Sequence, residues 1–500
     1  MAKFVMANRR AGKFHEPEKR GSRRALDAAF QPLAGDVDVL HDFAPPDDTL
    51  RRVIVFEADP VELAARAPAL PADVMLEPEI LHYPANAVPL DLLAMHRAAA
   101  TPAALAGDGS GLQVEARGNG APLEGAEVIL FLRGFGDVRA KLEGHTGPDG
   151  RVAFTFSPFF QPLGFIVAPA GDFWDVLVRG GRGTVAVDCP PLPADGPLQW
   201  WHRAFGVDAF EVTRGGGVRV GVIDSGCGPH PCLAHATDIG AFIDGAHDPG
   251  GGADVDSHGS HVCGIVGARP AAPGQYAGLA PGAELFSARV FPPGRGANQG
   301  DIANAIDALS RSQGADLINM SLGAPVPSQI ERDAIIDALE RGTLCVCAAA
   351  NSAGPVEWPA AFPETLAISA LGLLGWGPPG SQASLALPDQ PDRFGDGGLF
   401  LAGFSCFGPE IVGAAPGVGI ISTVPARHGL AAPYSPKNGT SMASPAACGA
   451  LAAALATSGA YLALARNRTR AEMARSIFTE MCRDIGLRSE FQGHGVPSLG

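Results

Sequence analysis

In the second half of the chain, apolar residues come in short unbroken runs: "VRVGVID" (218–224), "AELFSARVF" (283–291), "ADLINMSLG" (315–323), "TLCVCAAAN" (343–351) and "TLAISAL" (365–371). Runs of this length without polar alternation suit strands covered on both faces. Between several of them, "GDIANAIDALSRSQG" and "SQIERDAIIDALERG" space their apolar residues three and four apart, the period of amphipathic helices. Strand and helix in alternation predict an α/β fold over 198–500, a doubly wound and mainly parallel sheet. Functional side chains in such a sheet gather just past the carboxyl ends of the strands.

The pattern upstream is different. Over 109–194, "GLQVEARGN", "AEVILFLRG", "GRVAFTFSP", "GFIVAPA", "WDVLVRG" and "GTVAVDC" are separated by Gly, Pro, Asp and Asn, which predicts a small antiparallel β-sandwich. "CPPLPADGP" (189–197) reads as a stiff connector to the α/β part. Residues 1–85 open with a basic arm. A small α+β unit follows, with strand "RVIVFEA", helix "PVELAARAP" and extended "DVMLEPEILHY". The Ala- and Pro-rich stretch 86–108 reads as a linker.

Composition narrows the function. With 46% hydrophobic and 18% charged residues in a 500-residue chain, several folded domains are expected. A net charge of -15 argues against a nucleic-acid partner. The basic cluster Arg9, Arg10, Lys13, Lys19, Arg20, Arg23 and Arg24 reads as a solvated arm. No run is long and apolar enough to span a membrane, and the first 24 residues lack the apolar core of a secretory signal. Nine cysteines, odd in number and scattered, fit a reducing compartment. The expectation is a cytoplasmic protein, with secretion the alternative.

Candidate chemistry sits at the ends of the buried runs. Asp224 closes "GVIDSG", where an aspartate is either a turn former or a paired, buried carboxylate. In "DVDSHGSHVCGIVGA", Ser257 reads as a helix N-cap with His258 in the first turn. His258 and His261 stand three apart, but no acidic or cysteine ligand completes a metal site beside them. Cys227, His230, Cys232 and His235 only superficially resemble a metal cluster. Asn351 ends "CVCAAAN" and could cap a turn or donate to an oxyanion. Ser441, in "GTSMASP" ahead of an Ala-rich run, is a cap or a nucleophile. In chain order these read Asp, His, Asn, Ser, one of the three known triad orders; the Ser…Asp…His order does not fit.

On these residues the chain from about 198 to 500 resembles the subtilisin-like (subtilase, peptidase S8) serine peptidases. "VIDSG", "HGSHVCG" and "GTSMASP" resemble that family's Asp, His and Ser motifs, with "GLAPGAEL", "INMSLG" and "WPAAFP" as companions. The resemblance implies a serine endopeptidase acting through an acyl-enzyme, with Asp224, His258 and Ser441 as the triad and Asn351 in the oxyanion hole. It implies that Ser321, Leu322 and Gly323 pair with an extended polypeptide substrate. It implies no cofactor for the chemistry, allows structural calcium with unassigned ligands, and makes residues 1–85 similar to a pro-region that inhibits in cis and is self-processed. The sandwich is similar to carboxypeptidase-regulatory or transthyretin-like accessory domains. Glu357, beside "WPAAFP", either selects a basic P1 residue or is a solvated loop carboxylate. Ala350 departs from the family's usual Gly before the asparagine, and the insertion 375–398 reads as a surface flap. A silent, peptide-binding scaffold is the rival reading; the presence of all four catalytic groups argues against it.

Overall fold

The computed structural model describes residues 1–12, 21–34, 37–45, 51–66, 69–84, 110–135 and 138–500; the linker read at 86–108 lies outside them. Its centre is a nine-stranded sheet. Strand Arg219–Asp224 pairs in parallel with Glu284–Arg289 on one side and Leu317–Met320 on the other. Strands Leu344–Ala348, Leu366–Leu373 and Ile411–Pro416 continue the parallel order outward. The chain winds first to one side of Arg219–Asp224 and then to the other, so the switch point falls at the carboxyl end of that strand.

Alternation of side chains across this sheet explains the unbroken apolar runs. In Leu344–Ala348, Leu344 and Val346 join one core cluster while Cys345 and Cys347 join the other. Helices His258–Gly267 and Thr440–Thr457 supply the first cluster, and Gln329–Glu340 and Gln299–Asp307 the second. Each strand therefore buries both faces, and the few polar residues inside the strands, such as Ser287 and Ser369, are buried too.

Most of the basic arm read at the start, residues 13–20, lies outside the described residues, and the eight residues before Arg9 form no arm. Ala2–Asn8 is a strand pairing antiparallel with Val53–Ala58 and with Val74–Pro78, in a four-stranded sheet completed by Asp38–Phe43. Its residues alternate: Phe4 and Met6 pack under helices Gly21–Phe30 and Pro60–Arg66 through Leu26, Phe30 and Leu63, while Val5 and Ala7 face the helices of the large domain. The apolar "FVMA" needs both covers, which the basic residues after it obscure in the sequence. Past this sheet, Leu81–Pro84 leaves the N-terminal unit and inserts between Ala297–Asn298 and Leu322–Gly323 of the large domain, antiparallel to both.

Residues 110–188 form two small sheets whose inner residues, among them Val114 and Phe154 from one and Leu130 and Phe165 from the other, share one core. The pairing is antiparallel except for Gly183–Asp188, which runs parallel to Ser110–Gly118. The 375–398 insertion is not a free flap. Trp376 packs edge-on to Trp174 of the sandwich at 5.7 Å between ring centroids, and the Gln382 N–H donates to Asp175 at 2.7 Å. It ties the sandwich to the α/β domain.

Candidate active site

Asp224 ends its strand with a fully buried carboxylate. Oδ1 accepts from the Ser225 N–H at 2.7 Å and lies 2.7 Å from His258 Nδ1. That contact fixes the imidazole orientation, and Nε2, on the other side of the ring, is buried without a partner among the described residues.

His258 opens its helix against a tight backbone approach. A Cβ on Gly259 would stand 2.1 Å from the Gly226 carbonyl, so the residue after the histidine has to be glycine. Ser257 occupies the cap position at φ 84° but makes no side-chain cap. Asp254 does that work: its carboxylate accepts from the N–H groups of Asp256, Ser257 and Ser260 and from the Ser225 hydroxyl. The Ser225 oxygen accepts in turn from the Gly259 N–H at 2.8 Å, so one carboxylate braces both the aspartate turn and the histidine helix. Asp254 stands three residues before the cap position, outside the spacing by which a helix cap is read from sequence.

Ser441 is the second residue of helix Thr440–Thr457. Pro445 lacks the N–H that would bond the Ser441 carbonyl, and the Ser321 hydroxyl donates to that carbonyl instead, at 2.9 Å. The Ser441 hydroxyl donates to the Ser321 carbonyl at 3.0 Å rather than to His258. Ser321 thus ties the end of strand Leu317–Met320 to the helix start in both directions.

Asn351 lies just past strand Leu344–Ala348. Its Oδ1 accepts from the Thr440 N–H at 2.9 Å and the Thr440 hydroxyl at 3.0 Å, which orients the amide beside Ser441. Ala350 before it sits at φ 82°, in the left-handed region that favours glycine, at a cost of roughly 1 kcal/mol. Its N–H donates to Thr440 at 3.1 Å, which helps hold the turn. Glu357 accepts from the Ser352 hydroxyl at 3.0 Å, and its Oε2 is 3.6 Å from where a Gly323 Cβ would be. The carboxylate therefore lies close to the Ser321–Gly323 segment.

The other titratable groups nearby are held neutral. Burial, with Lys437 adding to it, pushes His261 well below the ordinary histidine value, and its Nε2 faces the Ile420 and Ser435 carbonyls. A hydrogen bond with Cys227 and burial push the Cys263 thiol well up. His230 is lowered to about 4 by burial, and its Nδ1 accepts from the Cys232 N–H. Among the described residues no three His, Cys, Asp or Glu side chains are grouped to hold a metal, so none is assigned to calcium. A cavity of about 540 Å³ adjoins Ser257 and Asn438, with Lys141, Glu143 and His145 of the sandwich on its far wall.

The family model described as "Subtilase family" matches residues 215–495, more than half of the chain. The thermophilic serine proteinase of Bacillus sp. (strain AK1) is 33% identical over 255 residues, 50% of this chain and 55% of the relative. The halolysin-like extracellular serine protease Nep of Natrialba magadii is 33% identical over 303 residues, 59% of this chain and 47% of the relative. Subtilisin Savinase of Lederbergia lenta is 32% identical over 239 residues, 48% of this chain and 76% of the relative. The chain thus spans about half the length of the first two. The extracellular relative overturns the expectation of a cytoplasmic protein and points to secretion. All nine cysteines are free, but seven are buried, and burial raises thiols such as Cys345 and Cys448, so their unpaired state does not by itself indicate a compartment. With the family model spanning all four motif residues, and three-quarters of a subtilisin aligned at 32% identity, the chain belongs to the subtilase family of serine endopeptidases.

Proposed function

We propose that the protein is a serine endopeptidase in which Asp224, His258 and Ser441 form the catalytic triad. The observation that carries this reading is the buried 2.7 Å contact of Asp224 with His258 Nδ1, which leaves Nε2 as the basic nitrogen. The Ser441 hydroxyl turns from the Ser321 carbonyl to Nε2, gives up its proton there, and Oγ attacks the scissile carbonyl. Asp224 stabilises the imidazolium, which protonates the leaving amine as the acyl–Ser441 ester forms. Water then repeats the sequence and releases the acid. The Ser441 N–H at the helix start and the Asn351 amide, oriented by Thr440, donate to the oxyanion.

Ser321, Leu322 and Gly323 bind the extended substrate. The seating of Leu81–Pro84 on Leu322–Gly323 supports this, because an inserted strand uses the backbone groups a substrate would use. The same pairing supports residues 1–85 as an intramolecular inhibitor that the enzyme itself processes. Glu357, close to Gly323, favours a basic P1 side chain; equal cleavage after Leu and Arg in a P1 peptide library would remove that role.

A fluorophosphonate probe tests the central assignment. The expected result is labelling of the wild type that is lost in Ser441→Ala, with activity falling by about 10⁶, the scale known for triads of the subtilisin type. Correctly folded wild type that neither labels nor cleaves would support the silent scaffold instead.

A further inference from the structure

The strand Leu81–Pro84 carries an unusual side chain into the large domain. Its His82 is fully buried, and Nε2 lies 3.1 Å from Oε2 of Glu331, itself fully buried. Glu331 stands in the first turn of helix Gln329–Glu340, three residues after the N-cap Ser328. That spacing is the one in which a glutamate folds back onto the cap backbone. Here the Ser328 oxygen accepts from the Glu331 N–H at 3.1 Å, but the carboxylate turns into the cleft. Its Oε1 is buried with no partner among the described residues, so His82 fills only part of what the group can accept.

The register says which substrate position this is. Gly323 stands opposite Tyr83 and Leu322 opposite Pro84. Ser321, whose carbonyl accepts from the Ser441 hydroxyl, is the next residue along, so a peptide in this register presents its P1 residue there. Counting back, Pro84 occupies the second position before the cleaved bond, Tyr83 the third and His82 the fourth. His82 also pairs with Ala297 on the opposite side, so the fourth residue is enclosed between two strands of the large domain.

We infer that Glu331 makes the subsite for the fourth residue before the cleaved bond selective for imidazole and cationic side chains, with His82 as its built-in occupant. This rests on the reading of Leu81–Pro84 as a substrate-like strand. The physical ground is that a buried carboxylate is costly when unpaired. An aliphatic side chain at this position would cover Glu331 and leave both oxygens without a donor. A histidine, lysine or arginine supplies one, and lysine or arginine can also reach for Oε1. Selectivity thus comes as much from rejecting apolar residues as from attracting basic ones.

The test uses the full chain and tetrapeptide amides alike except at the fourth position before the bond, which is His, Lys, Gln or Leu. The readout is the ratio of kcat/KM values within one preparation, so it does not depend on how much of the cleft the N-terminal strand still fills. Wild type should favour His and Lys over Leu by about tenfold or more, the scale of one charge-assisted hydrogen bond. Glu331→Leu should reverse the order, and Glu331→Gln, nearly the same shape, should lose the Lys preference while retaining fluorophosphonate labelling. A wild-type preference for Leu, or a preference unchanged in both variants, overturns the subsite. Labelling of Ser441 without cleavage of any of these peptides also overturns it; loss of both labelling and cleavage in the wild type removes the proposed function as well.

Discussion

The α/β domain holds its two upstream neighbours by different means. The N-terminal unit adds buried charge to the apolar face of Val5, Ala7, Val53 and Val55. Arg51 has no exposed side-chain surface, yet its guanidinium reaches Asp307 at 3.2 Å and Asp333 at 2.7 Å, on the two helices packed under the N-terminal sheet. Burial works against that charge, but Asp307 and Asp333 more than offset it and hold the guanidinium above its ordinary pKa. Glu77 accepts from the Ser328 hydroxyl at 2.7 Å, at the start of the same helix that carries Glu331. The sandwich docks with aromatic surface: Trp174 belongs to the main apolar core and meets Trp376. Apolar surface that loses its partner has nothing in water to gain, whereas carboxylates and guanidinium recover their hydration. The joint that includes charge therefore recovers hydration on opening, which the aromatic joint does not.

Two variants break this contrast if it is wrong. Arg51→Met removes the guanidinium that bridges the buried Asp307 and Asp333, a change worth about 3–5 kcal/mol. It should loosen the N-terminal unit, draw Leu81–Pro84 out of the cleft, and speed fluorophosphonate labelling of Ser441. Trp174→Ala should cost a similar amount, about 3–5 kcal/mol through the cavity it leaves, and lower the melting temperature without changing the labelling rate. Equal acceleration in both variants, or none in Arg51→Met, would mean that the two joints do not differ in kind.

The same division marks what the sequence could tell. Asp224 and Asn351 were legible because each closes a run of apolar residues, where a polar side chain stands out, whereas Ser321 was found only through the resemblance of its segment. What binds the units together was not legible. Arg51 meets Asp307 and Asp333 across 256 and 282 residues, and nothing local distinguishes those acids from solvated helix positions. Glu331 has the spacing of a cap, and only the arrival of His82 shows where its carboxylate points. Asp254 rather than Ser257 caps the His258 helix because the φ of Ser257 turns its hydroxyl elsewhere, towards the Lys437 ammonium at 3.2 Å. Ala2–Asn8 was hidden because its strand partners begin 45 or more residues downstream.

The connector from the sandwich to the α/β domain supplies a smaller and sharper test. His202, in the short helix Trp200–Ala204 that follows the stiff segment, is fully buried against Trp201. Its Nδ1 accepts from the Gln199 N–H at 3.1 Å, and its Nε2–H donates to the Ala277 carbonyl at 3.2 Å, so the neutral ring is fully satisfied. A proton on Nδ1 would face the Gln199 N–H with nothing to accept it. Burial accordingly lowers this histidine from 6.5 to about 3. Between those values the unfolded chain binds a proton that the folded one does not. Stability from this group is therefore complete above pH 6.5 and lost as pH falls, by about 2 kcal/mol at pH 5. Asp301, raised by burial to about 7, runs the other way: its folded form takes up a proton first, so acid favours it. The two partly cancel in a simple pH scan, and the comparison has to be made by difference. His202→Gln can keep both hydrogen bonds without titrating. Its melting temperature should lie below that of the wild type at pH 8 and draw level with it towards pH 5. A gap that stays constant across that range would mean His202 does not hold the connector as a neutral, buried ring.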